Sequence, residues 1–134
     1  MFTWKEKYSV GHKKLDDQHK KLLDIGRELV YVLENTSKGI DQYDKIAELL
    51  QEMTEYTKYH FENEEKIMEE HNFIDLDSHR FQHKIFVKKL EEIDLENVDT
   101  NQQGSVMKLL DFIADWIQNH ILEMDKKYSV LFEN

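Results

Sequence analysis

Apolar residues recur along most of this chain at alternating spacings of three and four, the period of an α-helix with one buried face. Leu15, His19, Leu22, Gly26, Leu29 and Leu33 form a first such stripe, which stops ahead of Gly39, a residue suited to a helix C-terminus. A second begins after Asp41, a good N-cap, and carries Ile46, Leu49, Met53, Tyr56, His60, Glu64 and Ile67 before fading near His71 and Asn72. A third starts around Asp75 or Asp77 and aligns Leu76, His79, His83, Phe86 or Val87, and Leu90. A polar stretch from Glu96 to Gln103 reads as a link to the fourth, where Val106, Leu109 or Leu110, Ile113, Ile117 and His120 share a face beside Trp116, Ile121 and Tyr128. Residues 1–12 lack this period and read as an arm ending near Gly11. The pattern predicts an all-α fold: an antiparallel up-down-up-down four-helix bundle with an N-terminal arm, one domain over residues 1–134.

Composition supports the helices. Proline is absent and glycine occurs four times, while 34% of residues are charged. A formal net charge of −10 argues against nucleic acid and anionic membrane as partners. No apolar run reaches signal-peptide or transmembrane length, so the expected compartment is the cytoplasm. Cysteine is missing, which excludes disulfides, thiolate catalysis and iron–sulfur clusters, and leaves only nitrogen and oxygen donors for any metal.

The chemistry lies in the histidines. Of seven, five (His19, His60, His79, His83 and His120) fall on the apolar stripes, with at least one on each helix. A single histidine on such a face is ordinary core. Five converging imidazoles each need a partner, and a cluster of imidazolium cations would repel itself, so a metal centre is the economical way to satisfy them. His60 and Glu64 are spaced i, i+4, as are His79 and His83, so each pair projects toward a common centre. An acid on the fourth helix is ambiguous by spacing. Glu123 lies at i+3 from His120, whereas Asp125 at i+5 is turned by roughly 140° on a regular helix and requires either a distorted helix or a flanking approach. His12 and His71 read as surface residues, Glu62, Glu65, Glu69 and Glu70 as a solvated face, and Tyr128 as packing more readily than as a hydrogen-bond partner of the site.

Trp4-x-x-x-Tyr8-Ser9-Val10-Gly11, Leu15-Asp16-Asp17-Gln18-His19-Lys20, His60-Phe61-x-x-Glu64, His79-x-x-x-His83 and His120-x-x-x-x-Asp125 together resemble the bacterial hemerythrins in order and spacing. One departure is Phe73-Ile74, where relatives often carry a Tyr-Pro pair. The resemblance implies a centre of two iron ions bridged by carboxylates and an oxo or hydroxo group. It implies His79, His83 and His120 on one iron, His19 and His60 on the other, Glu64 and Asp125 as bridges, and Asp125 rather than Glu123 as the fourth helix's acid. The iron with two histidines would keep an open position for reversible binding of dioxygen, in a carrier, store or sensor rather than an enzyme. Leu22, Phe61, Trp116, Ile117 and Ile121 would form the dry surround of that position. A peroxidase, or a scavenger of oxygen or nitric oxide, is the alternative that the same ligand set allows.

Overall fold

The computed structural model describes residues 2–132, and among them it is helical with no strand. The helices are α1 (Lys13–Ser37), α2 (Tyr43–Glu70), α3 (Leu76–Glu91), a short α4 (Leu95–Thr100) and α5 (Gln102–Trp116). The last continues without a break into a wider π-helical turn, Ile117–Asp125, then one α turn (Lys126–Tyr128) and a 3-10 turn (Ser129–Phe132). No helix of the described residues is long and apolar enough to cross a membrane.

Cross-helix pairs set the directions. Lys21 meets Glu52 and His60 meets Gln18, so α1 and α2 run antiparallel. Lys58 meets Glu91 and Glu65 meets His83, reversing α3 against α2. Phe86 stacks on Phe112 while His83 faces His120, reversing the fourth helix in turn, and Ser37 meets Gln103 at the end where α1 finishes and α5 begins. The bundle is the expected up-down-up-down one.

Helix ends follow local chemistry. Gly39 takes φ +78° after α1, a conformation that favours glycine. His12 caps α1, its Nδ1 accepting from the Leu15 amide at 3.4 Å, and is half-buried, which differs from its reading as a plain surface residue. Asp41 accepts from the Tyr43 amide at 3.0 Å, at the expected start of α2. Most of the polar stretch before the fourth helix folds into α4 rather than a loop. Asp94 caps it through the Glu96 amide, Val98 buries its side chain, and Asn101 then caps α5 through the Gly104 amide. Val98 and Leu95 packed on the core and the Asp94 cap hold a turn and a half that carries no periodic stripe to read.

The core is divided. A large apolar cluster fills one part of the bundle, including Leu22, Leu29, Leu49, Met53, Phe61, Phe86, Ile113 and Ile121. A smaller one, Val10, Leu15, Met68 and Tyr128 with Phe73 and Phe132 against it, closes the end where the arm enters. Between them, on α1, α2, α3 and the π-helical turn that continues α5, lies a layer of buried polar side chains.

The arm is fastened by shape. A methyl group at Gly26 would sit about 2.7 Å from the ring of Phe2, which is buried, and the Phe2 carbonyl accepts from Arg27 at 2.6 Å. Gly26→Ala gains about 1 kcal/mol of helix propensity but displaces a phenylalanine whose burial contributes about 1.5–3 kcal/mol, a net loss of roughly 0.5–2 kcal/mol. In a Phe2→Ala background the same substitution should instead stabilise. Urea unfolding of the four proteins of this cycle checks the change of sign.

Candidate metal centre

Each helix delivers its polar residues to the middle layer through the stripe that buries its apolar ones. His19 lies between Leu15 and Leu22 on α1; His60 and Glu64 share a face of α2, as do His79 and His83 on α3. His19, His60, Glu64, His79, His83, His120 and Asp125 are all buried, none more than 2% exposed. The α-helical turn would carry Asp125 away from His120, but the chain there adopts i→i+5 bonding, and the widened turn brings them back over one another. His120 Nε2 stands 3.0 Å from Asp125 Oδ1, whereas Glu123 is exposed. Helix distortion is thus how the acid five residues on reaches the centre.

The donor atoms fall into two groups that share Glu64. His19, His60 and Glu64 make one, and Glu64, His79, His120 and Asp125 the other, each with its atoms within 4.8 Å of one another. His83 joins the second, its Nε2 being 3.1 Å from both Glu64 Oε1 and His120 Nε2. Asp125 spans the groups as well, with Oδ2 3.3 Å from His19 Nε2 and Oδ1 3.4 Å from His79 Nε2. Both ring nitrogens of His19, His79 Nε2, Glu64 Oε1 and both Asp125 oxygens have no hydrogen-bond partner among the described residues. Leaving such atoms bare in a protein interior costs about 1–3 kcal/mol each, so the layer is suited to a cation that would engage those of them, all but His19 Nδ1, that face one another. Imidazole and carboxylate fit iron among other first-row metals.

Electrostatics tell the same story. Burial alone would push the Glu64 and Asp125 carboxyls up, yet the surrounding histidines hold both below the usual range. Burial opposes the charged form of His19 and His120, but the two carboxylates prevail and raise them to about 9 and about 10. His60 goes down, because burial there outweighs Glu64.

Four of the five rings turn their Nδ1 outward onto an acceptor: Gln18 for His60, the Asp75 carbonyl for His79, Glu65 for His83 and Gln82 for His120. This fixes the rings and leaves Nε2 facing inward, the arrangement typical of histidine ligands. Periodicity does not reveal these partners. Gln18 and Gln82 are polar residues one position before a histidine, and Glu65 looked like part of a solvated face but is only partly exposed. Tyr128 likewise does more than pack: fully buried, it donates to Glu64 Oε2 at 3.0 Å, and burial beside the two carboxylates raises its own pKa well above the ordinary phenol value.

The apolar neighbours take distinct places. Phe61 stacks on His83 at 3.7 Å and Trp116, half-buried, on His120 at 4.3 Å. Leu22, Ile117 and Ile121 are buried, and Ile117 also lines a cavity of about 270 Å³ with Phe2, Tyr8 and Leu23 under the arm.

Residues 10–131 match the family described as the Hemerythrin HHE cation binding domain. The chain belongs to the hemerythrin family. It is 35% identical over 128 residues to a bacteriohemerythrin of Clostridium acetobutylicum, covering 96% of this chain and 98% of that one. A hemerythrin-like protein of Naegleria gruberi is 31% identical, with 96% and 91% covered. A crystal structure of a hemerythrin mutant superposes with a TM-score of 0.72 at 23% identity, covering 98% of this chain and 97% of that one, which supports the fold. Hemerythrin membership implies non-haem iron and oxygen binding, and the buried cluster is a site that could hold metal.

Tyr128→Phe removes the one hydroxyl that donates to Glu64 and should cost the metal-free protein about 1.5–3 kcal/mol, the usual range for a hydrogen bond to a charged group. Denaturant unfolding in the presence of a chelator measures it; a cost near zero would mean that water replaces the hydroxyl.

Proposed function

We propose that this protein binds dioxygen reversibly at two irons held in the polar layer, as a carrier, store or sensor. His79, His83 and His120 would hold one iron, His19 and His60 the other, with Glu64 and Asp125 shared between them. The observation that carries this reading is the pair of donor groups meeting at Glu64, with Asp125 reaching into both. A single ion cannot engage seven side chains drawn from two such groups. Iron bound there supplies the electrons and the binding position for dioxygen.

The protein's own residues do the rest. Three histidines on one side and two on the other leave the second side one donor short, which is where a small ligand fits. Outward hydrogen bonds from His60, His79, His83 and His120 keep the rings from turning as a ligand arrives and leaves. Leu22, Ile117 and Ile121, all buried, would exclude water and stray protons, on which reversibility depends, while Phe61 and Trp116, stacked on His83 and His120, would shield the three-histidine side.

Elemental analysis of protein produced with ample iron should give two irons per chain; one or none refutes the reading. His79→Ala or His83→Ala should lose iron, whereas His71→Ala, on an exposed residue, should keep it and alter stability by no more than about half a kcal/mol. Iron removal should lower the thermal midpoint, because metal-binding free energy contributes to folding. Reduced protein mixed with dioxygen and then degassed should recover its starting spectrum. Steady consumption of reductant and dioxygen instead would identify a scavenging enzyme.

Replacing Ile117 or Ile121 by a polar residue of similar size should leave iron content intact. It should shorten the period over which air-exposed protein can be returned to its reduced spectrum by degassing. Each 1.4 kcal/mol or so by which a polar group eases irreversible oxidation speeds it roughly tenfold. Unchanged periods in both variants would assign these residues to packing alone.

A further inference from the structure

The outward partners of the histidines are not alike in charge. His60 and His120 face the amide oxygens of Gln18 and Gln82 at 2.7 and 3.1 Å, and His79 faces a backbone carbonyl at 3.2 Å. His19 Nδ1 has no hydrogen-bond partner among the described residues. Among the described residues, only His83 has a carboxylate as its outward partner: its Nδ1 lies 2.8 Å from Glu65 Oε2. The ring is held from its face as well, by Phe61 stacked at an interplanar angle of 3°.

Glu65 stands at the boundary between site and solvent. Its side chain is 24% exposed, on the wall of a groove of about 510 Å³ between α2 and α3 that His83 and Phe61 also line. Its other oxygen is 3.3 Å from Arg80 Nε, so a cation partly balances it from outside. A carboxylate draws the Nδ1 proton more strongly than an amide oxygen does and leaves more electron density on Nε2. Stronger ligand donation and a nearby negative charge both favour the oxidised metal, and hydrogen bonding outside the ligand shell is an established lever on potential.

We propose that Glu65 sets the reduction potential of the iron held by His83, by making that histidine the strongest donor of the five, with Arg80 as its counterweight. This rests on the reading of the layer as a di-iron centre. Glu65 is a positioning residue: it touches neither metal nor ligand gas, and acts through His83.

The test is the midpoint potential of the iron-loaded protein, by spectroelectrochemical titration at matched iron content. Glu65→Gln keeps an acceptor oxygen and removes the charge. It should shift the redox equilibrium toward the reduced form by roughly tenfold, about 59 mV for a one-electron step. Arg80→Gln, which leaves the carboxylate uncompensated, should shift it the other way. So should Gln82→Glu, which gives His120 a charged acceptor and leaves Glu65 untouched, and this variant decides the matter if Glu65→Gln loses iron. A Glu65→Gln potential equal to that of the unaltered protein overturns the proposal, as does a shift of Glu65→Gln and Arg80→Gln in the same direction, the mark of a loosened groove. Absence of iron from the unaltered protein would overturn the di-iron reading itself, a result distinct from either.

Discussion

Seven ionisable side chains lie in one buried layer across a bundle of only four main helices, and the rest of the structure is arranged around the need to satisfy them. Two carboxylates and five imidazoles cannot be taken from water without partners, since each bare charge or polar atom costs free energy that a chain of this size cannot spare. Part of the need is met from within. The carboxylates and His19 and His120 stabilise each other's charged forms, and Tyr128 donates to Glu64. Of the remaining unpartnered atoms, His19 Nε2, His79 Nε2, Glu64 Oε1 and both Asp125 oxygens face one another across the layer, where a cation would complete them.

That demand explains features which otherwise look like defects. A π-helical turn is an uncommon way to continue a helix, and here it occurs on the stretch carrying His120 and Asp125. The division of the apolar core into two clusters has the same origin, because the polar layer occupies the plane between them. The smaller cluster, to which the arm contributes Val10 and the final turns Tyr128 and Phe132, covers the layer on that side.

Around the inner ring of donors runs an outer ring of acceptors, and it gives the two sides of the centre different characters. The three-histidine side is backed by a carboxylate, an amide and a backbone carbonyl, and by the stacked rings of Phe61 and Trp116. On the other side His60 has an amide partner, and His19 Nδ1 has none among the described residues.

The sequence by itself determined the bundle and nearly all of the buried layer. A period of 3.6 residues acts locally and continuously, so His19, His60, Glu64, His79, His83 and His120 could be placed on inward faces from spacing alone, and the directions of the helices followed from short connections. Spacing left the fourth helix's acid open between Glu123 and Asp125; the resemblance pointed to Asp125. Only the folded chain shows how it arrives, because the widened turn sets it against partners on α1 and α3 that are more than forty residues away in sequence. The same holds for α4, for His12 as a cap, for Tyr128 on Glu64 and for Gln18, Glu65 and Gln82 behind the rings. Each of these depends on which surfaces meet across the bundle, and the pattern along a single helix carries no record of what its neighbour presents.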